Sequence, residues 1–498
     1  MNVNPITRLD YPDPDVIRVE DTYYMVSTTM HFMPGCEILQ SFDLVHWEHV
    51  TYVYEMLDHT DAQQLKSGQN IYGQGMWAAS LRYHEGRFYI CFVANDTRKT
   101  YLYTSEKIDG PWKKQLIEGF YHDGSLLFDE DGRNYIVYGN DEIWITELNE
   151  DLTAPKKDGL HRLLVSDHKN PELGYEGSHI QKINGYYYIF LVHSLRDRWM
   201  RTEACFYSDS LEGEFTGGDV LCDDRGYCGQ GVAQGGIVDT PDGKWYAMLF
   251  QDSGAVGRIP ILLPVTWKDH FPFFGQNGHV PEEIEVHSTR PGYIYQPLVG
   301  SDDFCNGLLP RWQFNHDPDP RYYHLDALQG TYTITTREVC TELTQAVNTL
   351  TQRMSYPSCA AEVTVDASAL KEGDVAGLCA LQSCYAAVGI TKHHGKYEVL
   401  MLDKKEDGIL DMTEGTVVES HQMDFRLEAD FCNMKDEARC YYRVNKGDWL
   451  PIGNVHKLYF KLDHFTGCRF GLFCYAAEET GGSACFRDFK YYDVDEIS

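Results

Sequence analysis

The sequence predicts an all-β chain: a five-bladed β-propeller over residues 1–295, followed by an antiparallel β-sandwich over residues 296–498. Three observations carry that expectation. A hairpin pattern recurs five times in the first 250 residues, and helical periodicity is scarce everywhere. A Pro- and Gly-rich connector, "FPFFGQNGHVPEEIEVHSTRPGYIYQPLVGSDDF", then separates two stretches of different character. At 498 residues the chain is also too long for one ordinary core, so two domains are the natural expectation.

The five copies are "VIRVEDTYYMVS" (16–27), "SLRYHEGRFYICFV" (80–93), "LLFDEDGRNYIVYG" (126–139), "HIQKINGYYYIFLV" (179–192) and "IVDTPDGKWYAMLF" (237–250). Each is an apolar strand, a tight polar turn and an aromatic-rich strand, the sequence form of a β-hairpin. The matching tyrosines, Tyr24, Tyr89, Tyr135, Tyr188 and Tyr246, lie 65, 46, 53 and 58 residues apart. That spacing leaves room for a four-stranded blade, with further strands such as "YLYTSEK" (101–107) and "EACFYSDS" (203–210) between the hairpins. Radial packing removes long exposed edges. An ordinary sandwich is the alternative, disfavoured by five copies in one phase. From about Ser301 alternating strands return, among them "GTYTITT" (330–336), "CAAEVTVDAS" (359–368), "YEVLMLD" (397–403), "ARCYYRVN" (438–445), "RFGLFCYAAE" (469–478) and "CFRDFKYYDV" (485–494), with turn signals "HHGK" and "NKGD".

The repeat also selects candidate site residues. In a propeller, the entry of each blade's innermost strand lies beside the central axis, so equivalent positions ring one end of it. Counting back twelve residues from the last four tyrosines gives Trp77, Asp123, Glu176 and Gln234; the first turn is one residue shorter, and eleven before Tyr24 is Asp13. Carboxylates crowded in a concave site repel, and the least solvated is pushed toward its protonated form. One ionised and one protonated carboxyl group is the equipment for glycoside hydrolysis, with inversion if a water fits between base and sugar. Trp77 offers a flat face for a sugar ring. Taken singly, Asp13 in "YPDPD" and Asp123 in "HDGS" read as turn residues and Glu176 in "YEGSH" as a solvated acid. Their shared phase decides for a site. Asp10 and Asp15 fall off that phase and read as turn and solvent-facing residues, with Pro12 and Pro14 as braces.

A net charge of −32 argues against nucleic acid or an anionic membrane as partner. No apolar window is long enough to span a membrane. The opening "MNVNPITRLD" lacks the pattern of a signal peptide, and fifteen cysteines include no CxxC pair, so reduced thiols and a cytoplasmic location are expected. A homo-oligomer stays open.

"YPDPDVIRVEDTYYMVSTT", "GMWAASLRYHEGRFYI", "HDGSLLFDEDGRNYIVYG" and "YEGSHIQKINGYYYI" together resemble glycoside hydrolase family 43, five-bladed propeller enzymes acting mainly on arabinose- and xylose-containing glycans. The resemblance implies Asp13 as general base, Glu176 as general acid and Asp123 as modulator of the acid's pKa. It implies that Arg258, in "AVGRIPILLPVTW", contacts the glycone or the catalytic carboxylates, against a plain salt bridge. It further implies that Phe32, in "MHFMPGCEI", walls the innermost subsite, against simple core packing. Many relatives place a histidine near Gln234 that helps position a central cation; its absence puts a structural calcium in doubt, and no essential metal or other cofactor is expected. Ser178 stands where many relatives have proline. "LPRWQFNHDPD" and "NTLTQRM" resemble the concanavalin-like C-terminal domain of β-xylosidase-like members, expected to cover the propeller and close the pocket; a free-standing carbohydrate-binding module is the alternative. The expected activity is inverting, exo-acting release of terminal pentose, most of all α-L-arabinofuranose, from arabinoxylan- or arabinan-derived oligosaccharides. A β-D-xylosidase or dual enzyme is the alternative, with a non-catalytic sugar-binding propeller or a protein-interaction scaffold further off.

Overall fold

A computed structural model describes residues 3–493. The chain up to Phe274 forms five four-stranded antiparallel sheets, each built from one continuous stretch. Their innermost strands are Asp15–Val19, Met76–His84, Ser125–Phe128, Glu176–Ile183 and Val232–Asp239. In every blade the repeat tyrosine sits on the second strand opposite the first: Tyr24 faces Ile17, Tyr89 faces Arg82, Tyr135 faces Leu127, Tyr188 faces Gln181 and Tyr246 faces Val238. The sequence repeat is thus a structural repeat.

Alternation along these strands sends side chains to both faces of each blade, and each face packs on a neighbour. Five apolar clusters result, one per blade interface. Ile38 and Tyr54 meet Leu81 and Phe92; Leu102 and Ile117 meet Leu126 and Ile136; Val137 and Ile145 meet Ile189 and Leu191. Phe190 and Cys205 meet Leu249 and Ile261, and Val16 and Met25 meet Val238 and Met248, which closes the ring. The leader adds backbone bonds to blade five, from Ile6 N to Pro260 O (2.8 Å) and from Tyr11 N to Arg258 O (3.0 Å).

The rest of the chain is a two-sheet antiparallel sandwich around a core that includes Trp312, Phe425, Phe470 and Phe486. Blade five contributes Ala255, Val256 and Ile259 to that core. The propeller also donates a strand: Phe32–Met33 pairs with Gln313–Asn315 at the edge of the larger sheet. This overturns the expected place of Phe32. Its ring is only 1% exposed, lies among Leu343, Cys379, Tyr385 and Phe473, and carries the Arg469 guanidinium 3.4 Å above it. Strand pairing with the sandwich pulls Phe32 into the domain interface, so it packs the core instead of walling a subsite.

Helix is confined to four short 3-10 turns among the described residues, and no helix is long and apolar enough to cross a membrane. The cysteines are free thiols, most of them buried.

Candidate active site

The five phase-matched residues all lie at the mouths of the innermost strands, and the backbone there is distorted. Asp13, Asp123 and Gln234 adopt left-handed conformations, with φ of 53°, 47° and 65°. Such conformations cost about 1 kcal/mol or more for a non-glycine residue and persist where the surroundings enforce them. In blades two, four and five the strand register slips at the same level, between Met76 and Ala79, Glu176 and His179, and Ala233 and Gly236. Bulges of this kind re-aim side chains, here toward the axis.

Asp13 is nearly buried, and both its oxygens are held. Thr28 donates to Oδ2 (2.7 Å), and Arg258 Nη1 donates to Oδ1 (3.2 Å). The preceding peptide is anchored by Ser27 Oγ, which donates to Pro12 O (2.6 Å). A guanidinium pair and a hydroxyl donor suit an ionised carboxylate. Glu176 is half-buried and held on one side only. Asn140 Nδ2 (2.7 Å) and His122 Nε2 (3.3 Å) both converge on Oε2, and Oε1 takes no hydrogen bond among the described residues. A proton on this carboxyl group therefore belongs on Oε1. Asp123 lies between them in function: its Oδ2 accepts the backbone N–H of Gly177 (3.0 Å), the residue after Glu176, and so fixes the acid's peptide. Burial, with the charges of Glu176 and Asp13, pushes Asp123 up to about 6, against the pull of His122. Trp77 is half-buried at the mouth and its Nε1–H has no partner among the described residues. Gln234 is 4% exposed and packs on Gly177, where a Cβ would come within 2.7 Å of its Cγ.

His122 and Asn140 were not selected by the repeat, although His122 adjoins Asp123 in "YHDGS". Burial opposes a charge on His122, but Asp123, Glu176 and Asp13 outweigh it and push the imidazole up to about 9. A histidine raised from its ordinary 6.5 stabilises the fold fully below 6.5 and loses that contribution as pH rises toward 9. Unfolding by urea should therefore show the native protein losing about 2 kcal/mol more than His122→Asn between pH 6.5 and 9. Equal losses would contradict the assigned charge.

Arg258 is buried, and the sandwich reaches it. Its guanidinium carbon stacks 4.2 Å from the ring of Phe465, and Nη2 donates to Phe465 O (3.4 Å). The Phe465 ring also lies 5.5 Å from that of Trp77. The second domain thus puts an aromatic side chain into the propeller's mouth, a contact between residues too distant in sequence for any motif to show.

Asp10 and Asp15 are not solvated turn residues. Asp10 is 5% exposed and accepts from Arg258 N (2.8 Å) and Gly467 N (2.7 Å), tying the propeller leader to the loop that carries Phe465. Asp15 is fully buried one level below Asp13. It accepts from Leu81 N (2.7 Å) and Arg82 Nη1 (2.7 Å), and pairs with His179 Nδ1 (3.1 Å). Burial disfavours its charge, yet Arg82 and His179 hold it below the usual carboxylate range.

Arg82 spends every N–H it has on this level. Nε bonds Leu126 O (2.9 Å), Nη1 bonds Asp15 and Leu81 O (2.6 Å), and Nη2 bonds Ser125 Oγ (2.7 Å) and Ile180 O (3.2 Å). A guanidinium thus fills the axis beneath the carboxylate ring. These residues do not fit a central divalent cation. Neither does the trio His122, Asp123 and Glu176, whose donor atoms lie within 4.8 Å of one another. Within that trio Glu176 Oε2 already accepts from His122 Nε2 and Asn140 Nδ2, and Asp123 Oδ2 accepts from Gly177 N.

The family described as Glycosyl hydrolases family 43 matches residues 3–272, and a Beta xylosidase C-terminal Concanavalin A-like domain matches residues 301–492. A solved structure titled as a bifunctional GH43-CE of Bacteroides eggerthii is 42% identical, with a TM-score of 0.93 over 99% of this chain. The chain spans 64% of that longer protein. A GH43 glycoside hydrolase whose title describes engineering for endo-xylanase and exo-arabinofuranosidase activity is 27% identical, with a TM-score of 0.86 over 99% of both chains. A beta-xylosidase of Formosa agariphila is 26% identical over 99% of this chain and 89% of its own.

Proposed function

Because the chain belongs to glycosyl hydrolase family 43, we propose that it is an inverting, exo-acting enzyme releasing terminal pentose, α-L-arabinofuranose foremost, from arabinoxylan- or arabinan-derived oligosaccharides. The observation that carries this reading is the unequal treatment of two carboxylates. Asp13, clamped on both oxygens by Arg258 and Thr28, takes a proton from the attacking water. Glu176, held on Oε2 alone, delivers the proton on Oε1 to the leaving oxygen. Asp123 keeps the acid's peptide in place through Gly177. Trp77 and Phe465 give the sugar ring apolar walls, and a mouth closed by the sandwich loop suits a chain end better than a chain interior.

The second reading is β-D-xylose release. The beta-xylosidase of Formosa agariphila, aligned over nearly the whole chain, favours it. Assays with 4-nitrophenyl α-L-arabinofuranoside and 4-nitrophenyl β-D-xyloside separate the two, with proton NMR of the first-formed sugar reading the anomer. The expected result is faster turnover of the arabinofuranoside with inverted product. Faster xyloside turnover would establish the second reading, a retained anomer would overturn inversion, and no turnover of either would overturn both.

A further inference from the structure

Two blades place an arginine at the same point of their fold. The third strand of blade five starts at Arg258 and the third strand of blade four starts at Arg201, both at the pocket end. Arg258 is spent on Asp13. Arg201 is 6% exposed, and its Nε donates to Asp252 Oδ2 (2.9 Å). Its two terminal nitrogens make no hydrogen bond among the described residues and are not among the buried polar atoms left unpartnered, so they open onto free space.

The surroundings of Arg201 run back to the chemistry. Its guanidinium carbon is 5.2 Å from the ring of Phe250, whose centre is 5.4 Å from the guanidinium of Arg258. The charges of Glu176 and Asp13 reach it as well, adding to that of Asp252 in holding its proton. On its outer side lies Trp199, whose ring centre is 5.3 Å from the guanidinium carbon and whose surface is 45% exposed. A tryptophan left this open, beside an arginine with free donors, is the furniture of a sugar-binding surface. The hairpin that carries it is pinned. Leu195 N bonds Met200 O (3.1 Å), and Ser194 Oγ both accepts from Met200 N (2.9 Å) and donates to Arg198 O (3.1 Å). The backbone that carries Trp199 is therefore held in place before a ligand arrives.

Direction follows from topology. Glu176 opens the first strand of blade four at the pocket end; the hairpin 195–200 joins the second and third strands of the same blade at that end. The leaving oxygen must lie against the acid, so the leaving group emerges on the side of blade four.

We propose that Trp199 and Arg201 form a subsite for the leaving-group sugar, a neutral pentose ring stacked on the indole with its hydroxyls bonded by the terminal nitrogens of Arg201. This rests on the reading of the chain as an exo-pentosidase with Glu176 as acid. It makes the enzyme favour glycans over glycosides lacking a second ring.

The test compares a pentosyl-xylose disaccharide with the same pentosyl fluoride, whose leaving group has no ring to stack. Trp199→Ala should lower kcat/KM on the disaccharide at least about tenfold more than on the fluoride, mainly through KM. Arg201→Lys, which keeps the charge near Asp252 but loses the planar fork, should move the ratio in the same direction. Equal losses on both substrates, or no loss on the disaccharide, would overturn the subsite and leave the exo-pentosidase reading standing. No turnover of either substrate by the native protein would overturn that reading and the subsite with it.

Discussion

Glu176→Ala is expected to lower kcat on an oligosaccharide roughly a thousandfold while sparing glycosides whose leaving group needs no proton. The physical reason is local. Glu176 Oε1 is the oxygen left without a donor among the described residues, so its proton can be given to a sugar alkoxide, a poor leaving group. A dinitrophenolate departs unaided, and with that substrate the loss should shrink toward tenfold. Asp13→Ala supplies the contrast. The base acts on water, not on the leaving group, so its loss should be roughly a thousandfold on every substrate alike. Plotting log kcat against leaving-group pKa separates the roles: a steep slope gained only by Glu176→Ala supports the assignment, whereas parallel lines for the two variants would overturn it. Removing Asp13 also leaves Arg258 facing Phe465 without its carboxylate, so thermal unfolding of Asp13→Ala must be measured alongside.

Much of this arrangement was legible in the sequence because a propeller turns one repeat position into one spatial ring. Asp13, Trp77, Asp123, Glu176 and Gln234 share a phase, and the structure places all five at the strand mouths. The limits of that reasoning are equally physical. It treated a single level of the axis, while strands put residues i and i+2 on the same side. Asp15, two residues after Asp13, falls off that phase and reads as solvent-facing, yet it lies buried one level down the axis. Asp10 was missed for another reason: its partners, the peptide N–H groups of Arg258 and Gly467, come from the far end of the propeller and from the sandwich. Phe465 has the same origin. The neighbourhood of Phe32 in "STTMHFMPG" points to the pocket, and nothing local announces that a propeller strand joins the sheet of another domain. His122 carried a signal in its adjacency to Asp123, but only the fold brings Asn140 and Glu176 beside it.

The level beneath the ring carries the largest expected effect on stability. Arg82→Met removes the cation that meets Asp15 Oδ2 and takes away the guanidinium bonds to Leu81 O, Leu126 O, Ile180 O and Ser125 Oγ. Breaking one side of a buried, hydrogen-bonded ion pair costs about 3–5 kcal/mol, most of it the penalty of an uncompensated charge. Arg82→Met should lose that much in urea unfolding. Arg82→Lys should lose less, because one ammonium keeps the charge but cannot reach five acceptors on four blades at once. Adding Asp15→Asn to Arg82→Met should recover part of the loss, since the orphaned charge goes with it. A neutral Arg82→Met would mean that the axis is held by the five apolar blade interfaces alone. The same geometry sets the response to metal removal: with a guanidinium in the axis, a chelator should change neither kcat nor the midpoint of thermal unfolding. Activity lost to the chelator and restored by calcium would show that Arg82 does not do a cation's work, and the bonds around it would then need another explanation.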